Sequence, residues 1–132
     1  MGARVDTAAD IIYIVDDMKR RPAPADLNLG EFEQLVLLAL LRLQPHAYGA
    51  TIHREIERRA ERDLAVAAVY TTLDRLERKG LVRSWTGEPT PERGGRSKKF
   101  YELEPLGAEA LARSYRTFKD MVTGLEKQLE KP

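Results

Sequence analysis

Val69-Tyr70-Thr71-Thr72-Leu73-Asp74-Arg75-Leu76-Glu77-Arg78-Lys79-Gly80-Leu81-Val82-Arg83-Ser84-Trp85-Thr86 is the stretch whose reading decides the fold. Together with Val66 it sets Val66, Val69, Leu73 and Leu76 on one helical face, and it stops at Lys79-Gly80, where glycine takes the left-handed conformation that ends helices. The composition then turns β-prone over Leu81-Val82-Arg83-Ser84-Trp85-Thr86. Gly87-Glu88-Pro89-Thr90-Pro91-Glu92-Arg93-Gly94-Gly95 cannot be regular structure, and a second β-prone run, Lys99-Phe100-Tyr101-Glu102-Leu103, follows. A helix with a hairpin directly behind it is the helix-and-wing half of a nucleic-acid-binding domain.

Upstream, Tyr48, Ile52, Ile56 and Ala60 recur at spacings of four, with Arg54, Glu55, Glu57, Arg58, Arg59 and Glu61 on the other side, an amphipathic helix. Before it, Asn28 and Glu31 are placed to form a capping box flanked by Leu27 and Phe32. The helix they start runs through Leu35, Val36, Leu38, Ala39, Leu40 and Leu43 to Pro45. It is apolar almost all round, so a buried central helix is expected. Three short helices and a hairpin make a winged helix-turn-helix.

Downstream, Pro105 suits a first helical turn, and from there to Lys131 no proline intervenes. One helix of that length reaches roughly 40 Å. Its apolar residues Leu111, Tyr115, Phe118, Val122, Leu125 and Leu129 alternate spacings of four and three, the heptad seam of a coiled coil, and they predict pairing with a second copy. The expected fold is mainly α (α+β): residues 27–104 a winged helix-turn-helix domain with a two-stranded wing, residues 105–132 a long C-terminal dimerisation helix. Residues 1–26 form an extension in which Ala8, Ile11, Ile12, Val15 and Met18 approximate a helical face; a short docked helix and a poorly ordered tail both fit.

The chain has 132 residues, the size of one domain, and a net charge of only +1. Residues 66–101 nevertheless carry eight basic side chains against four acidic ones, a local +4. Positive charge gathered in about a quarter of the length is the footprint of a surface that meets phosphates. With no cysteine, disulfides, thiolate metal sites and cysteine nucleophiles are excluded. No apolar run is long enough to span a bilayer, so a cytoplasmic location is expected. Neither His46 nor His53 sits in a ligand-spaced cluster with acidic partners, and no P-loop, dinucleotide-binding glycine pattern or calcium loop is present. The expected protein has no catalytic residues, metal or cofactor, and is not an enzyme.

On the Val69 helix, Ala67, Ala68, Thr71, Asp74, Arg75 and Arg78 point away from the apolar stripe. Small residues let a helix enter a major groove about 12 Å wide, alanine and threonine methyls contact thymine, and Arg75 reaches guanine or a phosphate. Arg93, Arg96, Lys98 and Lys99 surround the wing tip, where long cations follow the backbone or the minor groove.

Taken together, Gly30-Glu31-Phe32-Glu33-Gln34-Leu35-Val36-Leu37-Leu38, Tyr48-Gly49, the Val69–Val82 stretch, Gly94-Gly95-Arg96, Phe100-Tyr101-Glu102-Leu103 and Gly107 resemble the PadR family of bacterial transcriptional regulators over residues 27–128. The resemblance implies a homodimer on double-stranded DNA, usually repressing transcription from inverted-repeat operators, with release by phenolic or other aromatic compounds in some members. It sets Tyr70 on the family tyrosine near the DNA backbone and the wing cations on minor-groove or phosphate contacts. A small-molecule effector, where one exists, is expected between wing domains and terminal helices, against Tyr115, Phe118 and Met121. The competing function is a winged-helix protein-interaction module with weak, unselective DNA binding.

Overall fold

The computed structural model describes residues 27–88 and 97–131. Elements follow in the order α1 (Glu31–Arg42), α2 (Gly49–Ala60), α3 (Val66–Arg78), β1 (Val82–Thr86), β2 (Lys99–Leu103), α4 (Pro105–Val122) and α5 (Glu126–Leu129). Helices α2 and α3 pack on α1 and on each other, β1 lies along α3, and β2 and α4 cover the far side of α1. Val36, Leu37, Leu40, Ile52, Val69, Leu73, Leu76, Leu81, Tyr101 and Leu103 fill the space between them. The helix-rich architecture with one two-stranded antiparallel sheet is the winged helix expected.

Helix α1 starts two residues later than its sequence signal. Its N-cap is Gly30, whose N–H donates to Glu33 Oε1 at 3.0 Å, rather than Asn28 closed by Glu31. The reason lies across the core: Glu33 is buried, and its other oxygen accepts from Lys79 Nζ at 2.9 Å, past the end of α3, while Glu31 stays exposed and pairs with Arg62 at 3.0 Å. The helix is also less enclosed than its composition suggests. Leu38 is exposed, over a shallow groove shared with Leu35, Ile56 and Ala60.

Burial works to raise the Glu33 pKa, yet the Gly30 amide and the Lys79 ammonium outweigh it and hold the carboxyl below its ordinary value. A carboxylate depressed in the folded state adds stability above its unfolded pKa and loses it as pH falls through the folded one. Glu33→Gln should therefore cost about 1 kcal/mol at pH 7. In thermal melts the gap from the parent should close as the pH is lowered below the ordinary glutamate range; a gap independent of pH would contradict it.

Strands β1 and β2 pair from Val82↔Leu103 to Thr86↔Lys99. Opposed residues share a face, so Val82, Leu103 and Tyr101 turn to the core, while Trp85 stacks on Phe100 (5.6 Å between ring centroids) and Arg83 pairs with the buried Glu102 on the other face. On its free edge β2 meets the turn before α2: the Tyr101 N–H donates to the Ala47 carbonyl at 2.8 Å and Gln44 Nε2 to the Tyr101 carbonyl at 3.0 Å.

The terminal helix is not continuous to Lys131. It ends at Val122, and Gly124 takes φ 91°, a left-handed conformation that glycine adopts without steric cost. Thr123 helps the stop by donating its hydroxyl to the Lys119 carbonyl at 2.9 Å. Leu125 and Leu129 thus lie beyond a bend, Leu129 on the four-residue α5, and do not extend one straight seam. Leu111, only 7% exposed, belongs to the core of its own chain. The extension of residues 1–26 and the wing-tip residues 89–96, with Arg93 and Arg96, lie outside the described residues.

Candidate nucleic-acid interface

Helix α3 divides sharply between two faces. Val69, Thr72, Leu73 and Leu76 are buried, and Ala67, Tyr70, Thr71, Asp74, Arg75 and Arg78 are exposed, with Ala68 half-buried. The inward stripe begins one turn later than the spacing suggests, because Val66 is 47% exposed. Its first turn runs past the edge of the core, which leaves a narrow, alanine-lined helix end in solvent.

The turn leading into that end is held from α2. Glu61 terminates α2 with a left-handed φ of 52°. Glu57 Oε2 accepts from the Leu64 N–H at 3.2 Å, and His53 Nε2 lies 2.6 Å from the Leu64 carbonyl. Ala65, the N-cap of α3, offers no side-chain oxygen, so the first turn has no side-chain cap, and the Ala68 N–H donates to the Ala65 carbonyl at 3.1 Å. His53 therefore has a structural role.

A second cluster forms where α2 begins. Tyr48 is the N-cap, with its N–H bonded to Thr51 Oγ1 at 3.1 Å. The Tyr70 ring lies directly over Gly49, so closely that a Cβ on that glycine would fall 2.3 Å from the ring. Lys98, leaving the wing, donates to the Tyr48 hydroxyl at 3.3 Å and sits 4.5 Å above the Tyr48 ring centroid. A twelve-residue helix directs the positive end of its dipole here, beside two tyrosines and an ammonium, a combination suited to a phosphate oxygen. Tyr70 and Lys98 were legible separately; Tyr48 and Gly49 were not read as part of a site, although a tyrosine-glycine pair opening a helix was the available signal.

The structure treats the two adjacent wing lysines differently. Lys99 Nζ stands 3.5 Å from Glu77 Oε1 and 5.6 Å over the Tyr101 ring, and Tyr101 first, then Glu77 and Asp74, hold its pKa above the usual lysine value. It is a fastening of the wing to α3 as well as a cation. Lys98 is exposed at the end of the ribbon. Tyr115, Phe118 and Met121 stand in solvent on α4, at 66%, 69% and 73% exposure, so a pocket built from them requires a second surface.

Among the described residues, no three histidine, aspartate or glutamate side chains gather as a metal ion would need, and no helix is long and apolar enough to cross a membrane. Residues 37–113 match the family described as the transcriptional regulator PadR-like family. No curated protein matches the chain. Among solved structures, a PadR family transcription regulator from hypervirulent Clostridium difficile is 25% identical with a TM-score of 0.62, covering 76% of this chain and 99% of that one. A PadR-like transcription factor from Bacteroides fragilis is 21% identical (TM-score 0.59, covering 73% of this chain and 87% of that one). A PadR-like transcriptional regulator from Bacillus cereus is 16% identical (TM-score 0.58, covering 76% and 93%), and at these last two identities the likeness is one of fold.

Proposed function

Given that this chain belongs to the PadR-like family of transcriptional regulators, DNA-binding proteins rather than enzymes, we propose that it is a repressor that binds a pseudo-palindromic operator as a homodimer. The observation that carries this reading is the exposed, alanine-lined first turn of α3, a helix end slim enough for the major groove. Ala67, Ala68, Thr71 and Arg75 then meet base edges. Tyr70, Arg78 and Lys98, with Arg93 and Arg96 of the wing tip, meet the sugar-phosphate backbone, and Lys99 adds its charge while fastening the wing. Repression is supported by the resemblance alone, since similar regulators usually act so.

Dimerisation is supported by Tyr115, Phe118 and Met121, large apolar side chains that a folded chain keeps out of water when it can. Val122 at the end of α4 is half-buried, and Leu125 and Leu129, beyond the Gly124 bend, add further exposed apolar side chains. Two copies joined there would set their α3 helices roughly 34 Å apart, one turn of DNA. A small aromatic effector, if the protein takes one, would sit against Tyr115, Phe118 and Met121 between the copies, and it would have to bind the DNA-incompetent arrangement more tightly than the competent one.

Titration of labelled inverted repeats from the promoter of the chain's own gene tests this reading, because a protein-interaction module would form no selective complex. Two substitutions separate the roles. Lys98→Ala should weaken every sequence alike and reduce the slope of log affinity against log salt by about one; an unchanged slope would remove Lys98 from the backbone. Arg75→Ala should change which sequence is preferred, by about 1 to 3 kcal/mol at one base pair of each half-site. Equal loss on all sequences would make Arg75 a phosphate contact instead.

A further inference from the structure

Glu77 lies in the last turn of α3, and its carboxylate reaches both strands of the ribbon. One oxygen accepts from Ser84 Oγ on β1 at 2.5 Å, and the other faces Lys99 Nζ on β2 at 3.5 Å. Ser84 is opposite Tyr101 and Lys99 is opposite Thr86, so the two ties fall on one face of the ribbon but at different rungs. Two ties from one helical side chain fix both the tilt and the twist of a ribbon against the helix. On the ribbon's other side Lys98 is tied to Tyr48 at the start of α2.

A carboxylate here is otherwise unfavourable. Glu77 lies in sequence between Arg75 and Arg78, on a helix proposed to approach phosphates, where a negative charge weakens association. An exposed ion pair also adds little to stability, and the Lys99 side chain is half exposed. The geometry of the tie is what Glu77 contributes.

We propose that Glu77 is a positioning residue for DNA binding, locking the wing ribbon to the recognition helix so that Lys98 and the exposed face of α3 engage one duplex together. The proposal rests on the DNA-binding reading above. It reverses the sign expected from charge: losing an anion near phosphates should tighten binding, whereas losing the lock weakens it.

Two measurements on the full chain test it, with Glu77→Ala and Glu77→Gln, the latter keeping an acceptor for Ser84 but no charge for Lys99. The first needs no DNA. Trp85, the only tryptophan, is next to Ser84 on β1 and stacks on Phe100. Its time-resolved fluorescence anisotropy should show added local motion in Glu77→Ala and less in Glu77→Gln, with far-UV circular dichroism unchanged; Trp85 motion equal to the parent's in both variants overturns the lock. The second is a double-mutant cycle on a selected duplex. Glu77→Ala should weaken binding about tenfold in the parent and about threefold or less in Lys98→Ala, since residues acting through one another are non-additive. Tighter or unchanged binding, or the same loss in both backgrounds, overturns the proposal, and should Glu77→Ala not fold, Glu77→Gln carries the cycle. Failure of the parent chain itself to bind any duplex selectively overturns the DNA-binding reading, and the positioning role with it, and is distinguished by occurring without any substitution.

Discussion

Phe118→Asp is expected to run as a monomer in light scattering and to bind a full operator about a hundredfold more weakly than the parent. Phe118 is 69% exposed on α4, between Tyr115 at 66% and Met121 at 73%. Three large apolar side chains at spacings of three are a strong inducement to association, and a carboxylate in the middle of a buried apolar seam is left without a partner. The loss on DNA follows from linkage: one half-site bound by a tethered second reader gains 10² to 10⁴ in apparent affinity, and a monomer forfeits that gain. Binding to an isolated half-site should be nearly unaffected, because the α3 face lies in another part of the fold. A persistent dimer, or an equal loss on half-sites, would show that the copies join elsewhere.

Gly107→Ala should lower stability by about 3 kcal/mol, roughly 10 °C or more in Tm for a domain of this size. Gly107 lies in the first turn of α4, and a Cβ there would stand 2.1 Å from the Leu81 carbonyl oxygen and 2.8 Å from Leu103 Cδ1. A flexible side chain yields at little cost, but the closest obstacle is backbone. That carbonyl also accepts from the Glu104 N–H at 2.9 Å, so moving it loosens the junction of α3, β1 and α4 together. The expected result is a folded but destabilised protein whose wing is less well held, visible in thermal melts and in lower DNA affinity. A Tm within about 3 °C of the parent would mean that α4 shifts away from Leu81 at little cost.

What was legible in the sequence was what local chemistry decides. The helix ending at Lys79-Gly80, the two strands and the helix opening at Pro105 each depend on residues within a turn or two of the event, and each stands where periodicity and turn residues set it. The misplaced α1 start depends instead on Lys79, 46 residues away, which draws Glu33 inward and makes Gly30 the cap. Periodicity also assigned Val66 to the core and Leu111 to a seam between copies, since it marks a face without saying what that face meets; the edge of α3 leaves Val66 in solvent, and α4 packing takes Leu111 in. Gly124 was a readable stop inside the apolar pattern, yet a seven-residue repeat continues through a bend as easily as through a helix.

The candidate interface was legible in part for the same reason. Thr71, Arg75 and Arg78 follow from the helix projection, and Lys98 from the charge of the wing. The gathering of Tyr48, Tyr70 and Lys98 joins residues up to 50 positions apart and becomes visible only when the wing folds back on α2. Lys98 and Lys99 are alike in sequence, and only the fold separates them, sending Lys99 to Glu77 of α3 and Lys98 to Tyr48 at the start of α2.

The central claim is that two copies present their α3 helices to adjacent major grooves of one duplex. Selection of bound sequences from a random DNA library, with the stoichiometry of the enriched complex measured in solution, tests it most directly. The expected result is an inverted repeat with half-site centres about 10 base pairs apart, bound by two chains. Failure to enrich any sequence, or enrichment of a single asymmetric site bound by one chain, would contradict it.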